Sequence, residues 1–252
     1  GALGVLGLLG SHGLAAQDPH QAAREVEQAL ALTPDLDNGR RVYQTCAVCH
    51  RPEGWGTRDG TYPQVAGQLP QVIIKQLADF RARNRDNPIM YPFAVPGTLG
   101  GVQEIADVAA YIAQLPMNPA NSVGPGTNLD HGERLYRDNC VDCHGERGEG
   151  VAKEFGPLIQ GQDYVYLVRQ FDWIRTGKRR NANSKMVKQI RRFNSRDVSA
   201  VMDYVSRLRP SADKLAEPGW TNPDFPKFAR PPMLAPNPWG PPPSVEFPAA
   251  SE

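Results

Sequence analysis

The chain is 252 residues long and 40% hydrophobic, with 28 Lys and Arg against 27 Asp and Glu for a net charge of +1. That length fits two domains or one large one, and the hydrophobic content supports a packed core. The near-zero charge excludes the globally basic profile of a nucleic-acid binder, and no nucleic-acid partner is expected.

Residues 1–16 carry no Asp, Glu, Lys or Arg and begin Gly-Ala-Leu-Gly-Val-Leu-Gly-Leu-Leu-Gly. Two readings are open. One is the tail of a signal peptide, with Gly13-Leu14-Ala15-Ala16 near a cleavage site. The other, preferred one is the outer part of a retained membrane anchor, although sixteen residues fall short of the roughly 20 needed to span a bilayer. Residues 1–34 are read as this apolar segment and its lead-in.

Two short strings follow, Cys46-Ala47-Val48-Cys49-His50 and Cys140-Val141-Asp142-Cys143-His144, and they use all four cysteines of the chain. Each is a C-x-x-C-H, the attachment signature of a c-type haem. The spacing sets two thiols on one helical turn for addition to the haem vinyl groups, and holds the histidine beneath the iron. A zinc reading fails on ligand number, since each copy offers three donors where a structural zinc takes four. We therefore expect two covalently bound haems c. Because covalent attachment needs reduced thiols and haem delivered outside the cytoplasm, the expected location is the periplasmic side of a membrane.

The motifs belong to a larger repeat. Cys46 to Cys140, His50 to His144, Pro63 to Pro157, Gly67 to Gly161, Gln68 to Gln162, Gln76 to Gln170 and Arg81 to Arg175 all keep an offset of 94. Gly39 to Gly132, Tyr43 to Tyr136, Tyr111 to Tyr204 and Leu115 to Leu208 keep 93. One domain has been duplicated, giving domain 1 over 35–118, a linker over 119–129 with Pro119, Gly124, Pro125 and Gly126, and domain 2 over 130–209. Each unit reads as helical. Apolar periodicity predicts a helix through Val72, Leu77 and Phe80 and another from Val102 to Leu115, stopped by Pro116. Tyr164 to Ile174 and Ser195 to Leu208 repeat them, with Asn194 or Ser195 as N-cap and Pro210 as stop.

Met90 lies 40 residues after His50 and Met186 lies 42 after His144, both between the middle and last helices of their units. A thioether there is placed for the distal face, and His/Met ligation raises the reduction potential. Met202 sits within the last helix, and Met117 and Met233 lie outside the repeats. His50, Met90, His144 and Met186 are the expected iron ligands. Pro63 and Pro157 follow the haem histidines by 13 residues, and their carbonyls are candidate acceptors for the histidine Nδ1 hydrogen.

Residues 210–252 hold 12 of the 24 prolines together with Trp220, Phe225, Phe228, Trp239 and Phe247. This composition rules out a third helical domain and reads as an extended strap lying on a surface.

C-x-x-C-H, then Pro-x-x-x-Gly-Gln, then a helix with Gln and Phe, then Met, then a Tyr-containing final helix resembles a class I cytochrome c. Two such units in tandem resemble the dihaem cytochrome c4 family. The resemblance covers about residues 35–209 and is closest in Tyr62-Pro63-Gln64-Val65-Ala66-Gly67-Gln68 and Lys75-Gln76-Leu77-Ala78-Asp79-Phe80. It implies an all-α fold of two tandem class I domains with a pseudo-twofold relation and haem propionates facing one another across the interface. It also implies electron carriage in the periplasm to terminal oxidases.

The chain departs from that pattern in its N-terminal apolar segment, its Pro-rich extension and its charge distribution. Residues 35–118 balance at zero, whereas 119–209 carry a net charge of +5. Arg175, Lys178, Arg179, Arg180, Lys185, Lys188, Arg191 and Arg192 include no acid between them and bracket Met186. We expect this stretch to dock an acidic redox partner. We further expect contacts with a membrane subunit through residues 1–16 and the Pro-rich tail. The leading reading is therefore a non-enzymatic electron carrier, a subunit of a respiratory membrane complex or tethered to one. A free soluble shuttle and a dihaem peroxidase are the alternatives, and the peroxidase would need an open iron face.

Overall fold

A computed structural model describes residue 18 and residues 20–229. Among these there is no sheet. Two isolated bridges, Met117 with Leu215 and Val151 with Gly156, are the extended pairings. Unit 1 contains α1 (Gln21–Ala31), α2 (Leu36–His50), α3 (Pro70–Arg81), α4 (Tyr91–Ala94), α5 (Pro96–Leu99) and α6 (Val102–Gln114). Unit 2 contains α7 (Leu129–Asn139), α8 (Val141–His144), α9 (Tyr164–Arg175), α10 (Ser184–Ile190) and α11 (Ser195–Arg207).

Local chemistry sets the helix ends. The Asp35 side chain caps α2 by accepting from the Asp37 and Asn38 amides, which satisfies donors that a helix start leaves unpaired. Asn194 caps α11 and Asp197 reaches back to the Asn194 amide, completing a capping box. Proline at the first turn starts α3, where its missing N–H costs nothing.

In both units the first and last helices cross at a glycine. A Cβ on Gly39 would lie 2.2 Å from the Asp107 carbonyl oxygen of α6, and one on Gly132 would lie 2.2 Å from the Ala200 carbonyl oxygen of α11. Bare backbone is thus what lets α2 lie on α6 and α7 on α11. A buried tyrosine follows each crossing. Tyr43 stacks on Tyr111 with centroids 5.3 Å apart, and Tyr136 on Tyr204 at 5.7 Å.

The α1 helix was not foreseen in the lead-in. Its Ala22, Val26 and Ala29 face α3 and α6, and Glu25 pairs with the buried Arg81. Residues 121–126, expected as a linker, are built into unit 2. The buried Asn121 amide donates to the carbonyls of Gln162 and Ser206, Ser122 bonds Asp163, and the Gly126 amide donates to Asp203 at 2.6 Å.

The extension runs back over unit 1. Met117 and Leu215 pair their backbones, Trp220 packs on Trp55 at 5.9 Å, and Phe225 meets Tyr43 edge-on at 6.0 Å. Asn222, 2% exposed, donates to the Pro52 carbonyl and to the Tyr111 hydroxyl, and Asp224 accepts from that same hydroxyl. Stranding such a buried amide costs about 1–3 kcal/mol, so the strap is an integral part of unit 1. Of the tail expected to contact a membrane subunit, this first part is spent on the chain's own core through Trp220, Phe225 and Phe228. Residues 1–16, Met233, Trp239 and Phe247 lie outside the described residues.

The two units meet through reciprocal hydrogen bonds. The Gln162 side chain accepts from the Gln64 amide at 3.2 Å and donates to the Gln64 carbonyl at 2.9 Å. The Gln68 side chain does the same to Leu158, at 3.0 and 2.9 Å. Gln68 and Gln162, like Gln64 and Leu158, are related by the 94-residue offset. Exchanging the units therefore reproduces the contact, the signature of a pseudo-twofold axis.

Candidate haem sites

Cys46, Cys49 and His50 occupy the last turns of α2. Spacings of three and four residues put them on one helix face. In unit 2 the same string is broken: α7 ends at Asn139, Cys140 caps it, and Cys143 and His144 sit on α8. Beyond each histidine the chain turns out of the helix, at Arg51 (φ 65°) and at Gly145 (φ 77°). The buried tyrosines hold these turns, Tyr43 donating to the Arg51 carbonyl at 2.8 Å and Tyr136 to the Gly145 carbonyl at 2.5 Å.

Both imidazoles are buried, each 7% exposed. His50 Nδ1 lies 3.0 Å from the Pro63 carbonyl and His144 Nδ1 lies 2.9 Å from the Pro157 carbonyl. A carbonyl oxygen only accepts, so Nδ1 carries the hydrogen and the Nε2 lone pair is left for a metal. Burial lowers the proton affinity of both rings, with the carbonyl contact opposing it, and the Arg179 charge lowers that of His144 further. A neutral imidazole with a fixed tautomer is the ligating form. The ring edge of Tyr62 meets His50 at 6.3 Å.

None of the four cysteines is paired with another. Burial pushes Cys46 and Cys140 up to about 12. Among the described residues no group of three or more His, Cys, Asp or Glu side chains is placed to hold a bare ion. Two unpaired thiols, one oriented imidazole and an apolar wall form a donor set that fits covalent haem c.

The methionines are placed differently. Met186 lies on α10 and packs, half-buried, against the apolar cluster of unit 2, which includes Phe171, Ile174 and Ile190 and which Cys140 also joins. Asn183 caps that helix by accepting from the Lys185 amide. Met90 is half-buried at the start of α4, its amide and that of Ile89 donating to the Asn87 side chain. Met202 is buried on α11 and Met117 lies under the interface glycines.

The profile described as Cytochrome c matches residues 36–116 and again 129–209. The chain belongs to the cytochrome c family. Cytochrome c4 of Thiocapsa roseopersicina is 34% identical over 201 residues, covering 76% of this chain and 98% of the relative. A "thiosulfate dehydrogenase electron acceptor" of Stutzerimonas stutzeri is 31% identical over 198 residues, covering 71% and 90%. The crystal structure of reduced recombinant cytochrome c4 from Pseudomonas stutzeri superimposes with a TM-score of 0.62 at 23% identity, covering 70% of this chain and all of that one. These likenesses bear out the two tandem cytochrome c domains and the dihaem cytochrome c4 family. The chain is a dihaem electron-transfer cytochrome carrying two covalently bound haems c. Bound haem c supplies a one-electron couple in each unit. The polypeptide contributes ligand orientation and exclusion of water.

The basic stretch divides in the structure. Arg175 pairs with Asp172, and Arg179 turns into the interface between the units. The surface that remains consists of Lys178, Arg180, Lys185, Lys188, Arg191 and Arg192, all exposed. The expected patch over 175–192 is corrected to these six.

Proposed function

We propose that the chain carries electrons between redox proteins on the periplasmic side of a membrane, with His50 and Met90 ligating one iron and His144 and Met186 the other. The observation that carries this reading is the duplicated loop in which each haem histidine is tied through Nδ1 to a proline carbonyl. Those loops abut across the interface, since Gln64 and Leu158 directly follow the two prolines. An electron entering one unit then has a short route to the other. A relative named for accepting electrons from thiosulfate dehydrogenase supports a dehydrogenase as partner and a non-catalytic role for this chain.

Attachment to a membrane complex would act through residues 1–16 and the tail beyond residue 229, because the first part of the strap closes on unit 1. Among the described residues no helix is long and apolar enough to cross a membrane.

Docking to an acidic partner at the unit 2 surface accounts for the exposed cations around Met186. Neutralising Lys185, Lys188, Arg191 and Arg192 together is expected to slow second-order electron transfer to that partner about tenfold at low ionic strength and to flatten its salt dependence. Stopped-flow kinetics over a salt series check this. Rates equal to wild type at every ionic strength would remove the patch from the docking surface.

A further inference from the structure

Three arginines stand at the end of α3. Arg85 crosses to unit 2, where it shares Gln76 and Gln170 with Arg179. Arg81 and Arg83 go instead to the segment that carries Met90. The Arg81 side chain is 3% exposed. Its Nε donates to the Ala94 carbonyl at 2.7 Å and its Nη2 to the Gly100 carbonyl at 2.8 Å. Met90 opens the single turn α4 that Ala94 closes, and Gly100 closes α5, the turn that follows. One guanidinium therefore holds both turns, because its planar fork presents several donors in fixed geometry. Arg83 lies over the Tyr91 ring, 3.7 Å from its centroid, and Tyr91 directly follows Met90.

A buried cation needs a counter-charge, and α1 brings it. Glu25 Oε2 lies 3.6 Å from Arg81 Nη1, while Glu25 Oε1 accepts from the Gln21 side chain one turn back. Ala22 and Val26 seat α1 on Ala78 and Ala82 of the α3 end.

Unit 2 has none of these three devices. Arg175 keeps the 94-residue offset from Arg81, but its Nη2 donates to Asp172 of its own helix at 2.6 Å. Its Nε, though buried, has no hydrogen-bond partner among the described residues. The same offset places Gly177 against Arg83, and a Cβ there would meet nothing within 4 Å. Residues 115–128, between α6 and α7, contain no helix to match α1. Met186 rests on the Asn183 cap of its helix and on apolar packing.

We propose that Arg81 is a positioning residue for Met90, charge-balanced by Glu25 of α1, and that this clamp fixes the distal methionine of unit 1 more firmly than that of unit 2. The proposal rests on the reading of Met90 and Met186 as iron ligands. It makes α1 a part of the unit 1 haem site, and it makes the iron of unit 2 the first that an external donor reaches.

An external ligand binds those molecules whose methionine has swung away, so its apparent affinity scales with that open fraction. The test titrates the oxidised dihaem protein with imidazole and follows the hyperfine-shifted haem methyl signals by proton NMR. Met90→Ala and Met186→Ala assign one set of signals to each haem. In the wild type the unit 2 set is expected to be displaced at the lower imidazole concentration. E25Q removes the counter-charge, and R81K keeps a charge but loses the fork. Each is expected to raise the imidazole affinity of unit 1 about tenfold and to leave that of unit 2 as it was. Gly39→Ala strains the α2–α6 crossing and is the control for lost stability alone, with an unchanged affinity expected. Should R81K fail to retain haem, E25Q decides. A unit 1 affinity in E25Q equal to wild type, a rise in Gly39→Ala as large as in E25Q, or a wild type in which unit 1 is displaced first would each overturn the clamp. If Met90→Ala leaves both sets of signals where they were, the ligand assignment itself is wrong, a result distinct from any of these.

Discussion

Replacing Met186 by alanine is expected to convert one of the two haems from low-spin to high-spin and to lower its reduction potential, leaving the other haem as it was. A thioether is a neutral donor that stabilises ferrous iron, so its loss favours the ferric state. Alanine has no atom that reaches the metal, and the vacated position is open to water or an external ligand. The lost packing against the apolar cluster of unit 2 costs a further 1–2 kcal/mol or so for this half-buried side chain. Half of the far-red methionine–iron charge-transfer band should disappear, and one of the two redox steps should move while the other stays. Met90→Ala is the matching experiment for unit 1. An unchanged band and two unchanged steps in Met186→Ala would remove Met186 as a ligand.

The second large effect is on stability. Gly132→Ala is expected to destabilise the protein by about 2–3 kcal/mol, and Gly39→Ala by a similar amount. In an exposed helix the same change would stabilise by about 1 kcal/mol, since glycine is the poorer helix former. Here the added carbon would stand 2.2 Å from a backbone oxygen of the facing helix, and a backbone atom cannot rotate aside. The helices must separate, and a backbone clash this deep costs at or above the upper end of ordinary overpacking, about 3–4 kcal/mol, which exceeds the propensity gain by about 2–3 kcal/mol. For a chain of this size the expected drop in Tm is roughly 5–10 °C, measured by calorimetry on the holoprotein. A Tm equal to or above wild type would mean that α7 and α11 are not in contact at Gly132.

Much of this was legible in the sequence because it is written in local or repeated patterns. The C-x-x-C-H strings specify their chemistry by spacing alone. The helices now seen as α3, α6, α9 and α11 followed from apolar periodicity, and the Asn194 cap from residue type. The proline carbonyls that meet His50 and His144 were candidates because both prolines stand 13 residues beyond their histidines. What was not legible depends on distant partners. Gln68 and Gln162 were visible as repeats, but a repeated glutamine fits a core, a turn or an interface equally well, and only their reciprocal contacts decide. Arg85 and Arg179 keep the same 94-residue offset, but Arg179 reads as one more cation of the basic stretch and Arg85 as an ordinary surface charge. That offset was the available signal. Asn222 lies in a proline-rich stretch with no periodicity, and its burial follows from Tyr111 and Pro52, more than 100 residues away. The α1 helix did leave a trace, with Ala22, Val26 and Ala29 at intervals of four and three residues.

The central claim is that each unit holds one low-spin haem between a histidine and a methionine. Near-infrared magnetic circular dichroism of the oxidised dihaem protein reads the axial ligands of both irons at once. The account predicts two His/Met signatures of equal intensity, no high-spin signal, and no change on adding carbon monoxide to the reduced protein. A high-spin or bis-histidine signature from either haem, or a haem that binds carbon monoxide or turns over peroxide as isolated, would contradict it.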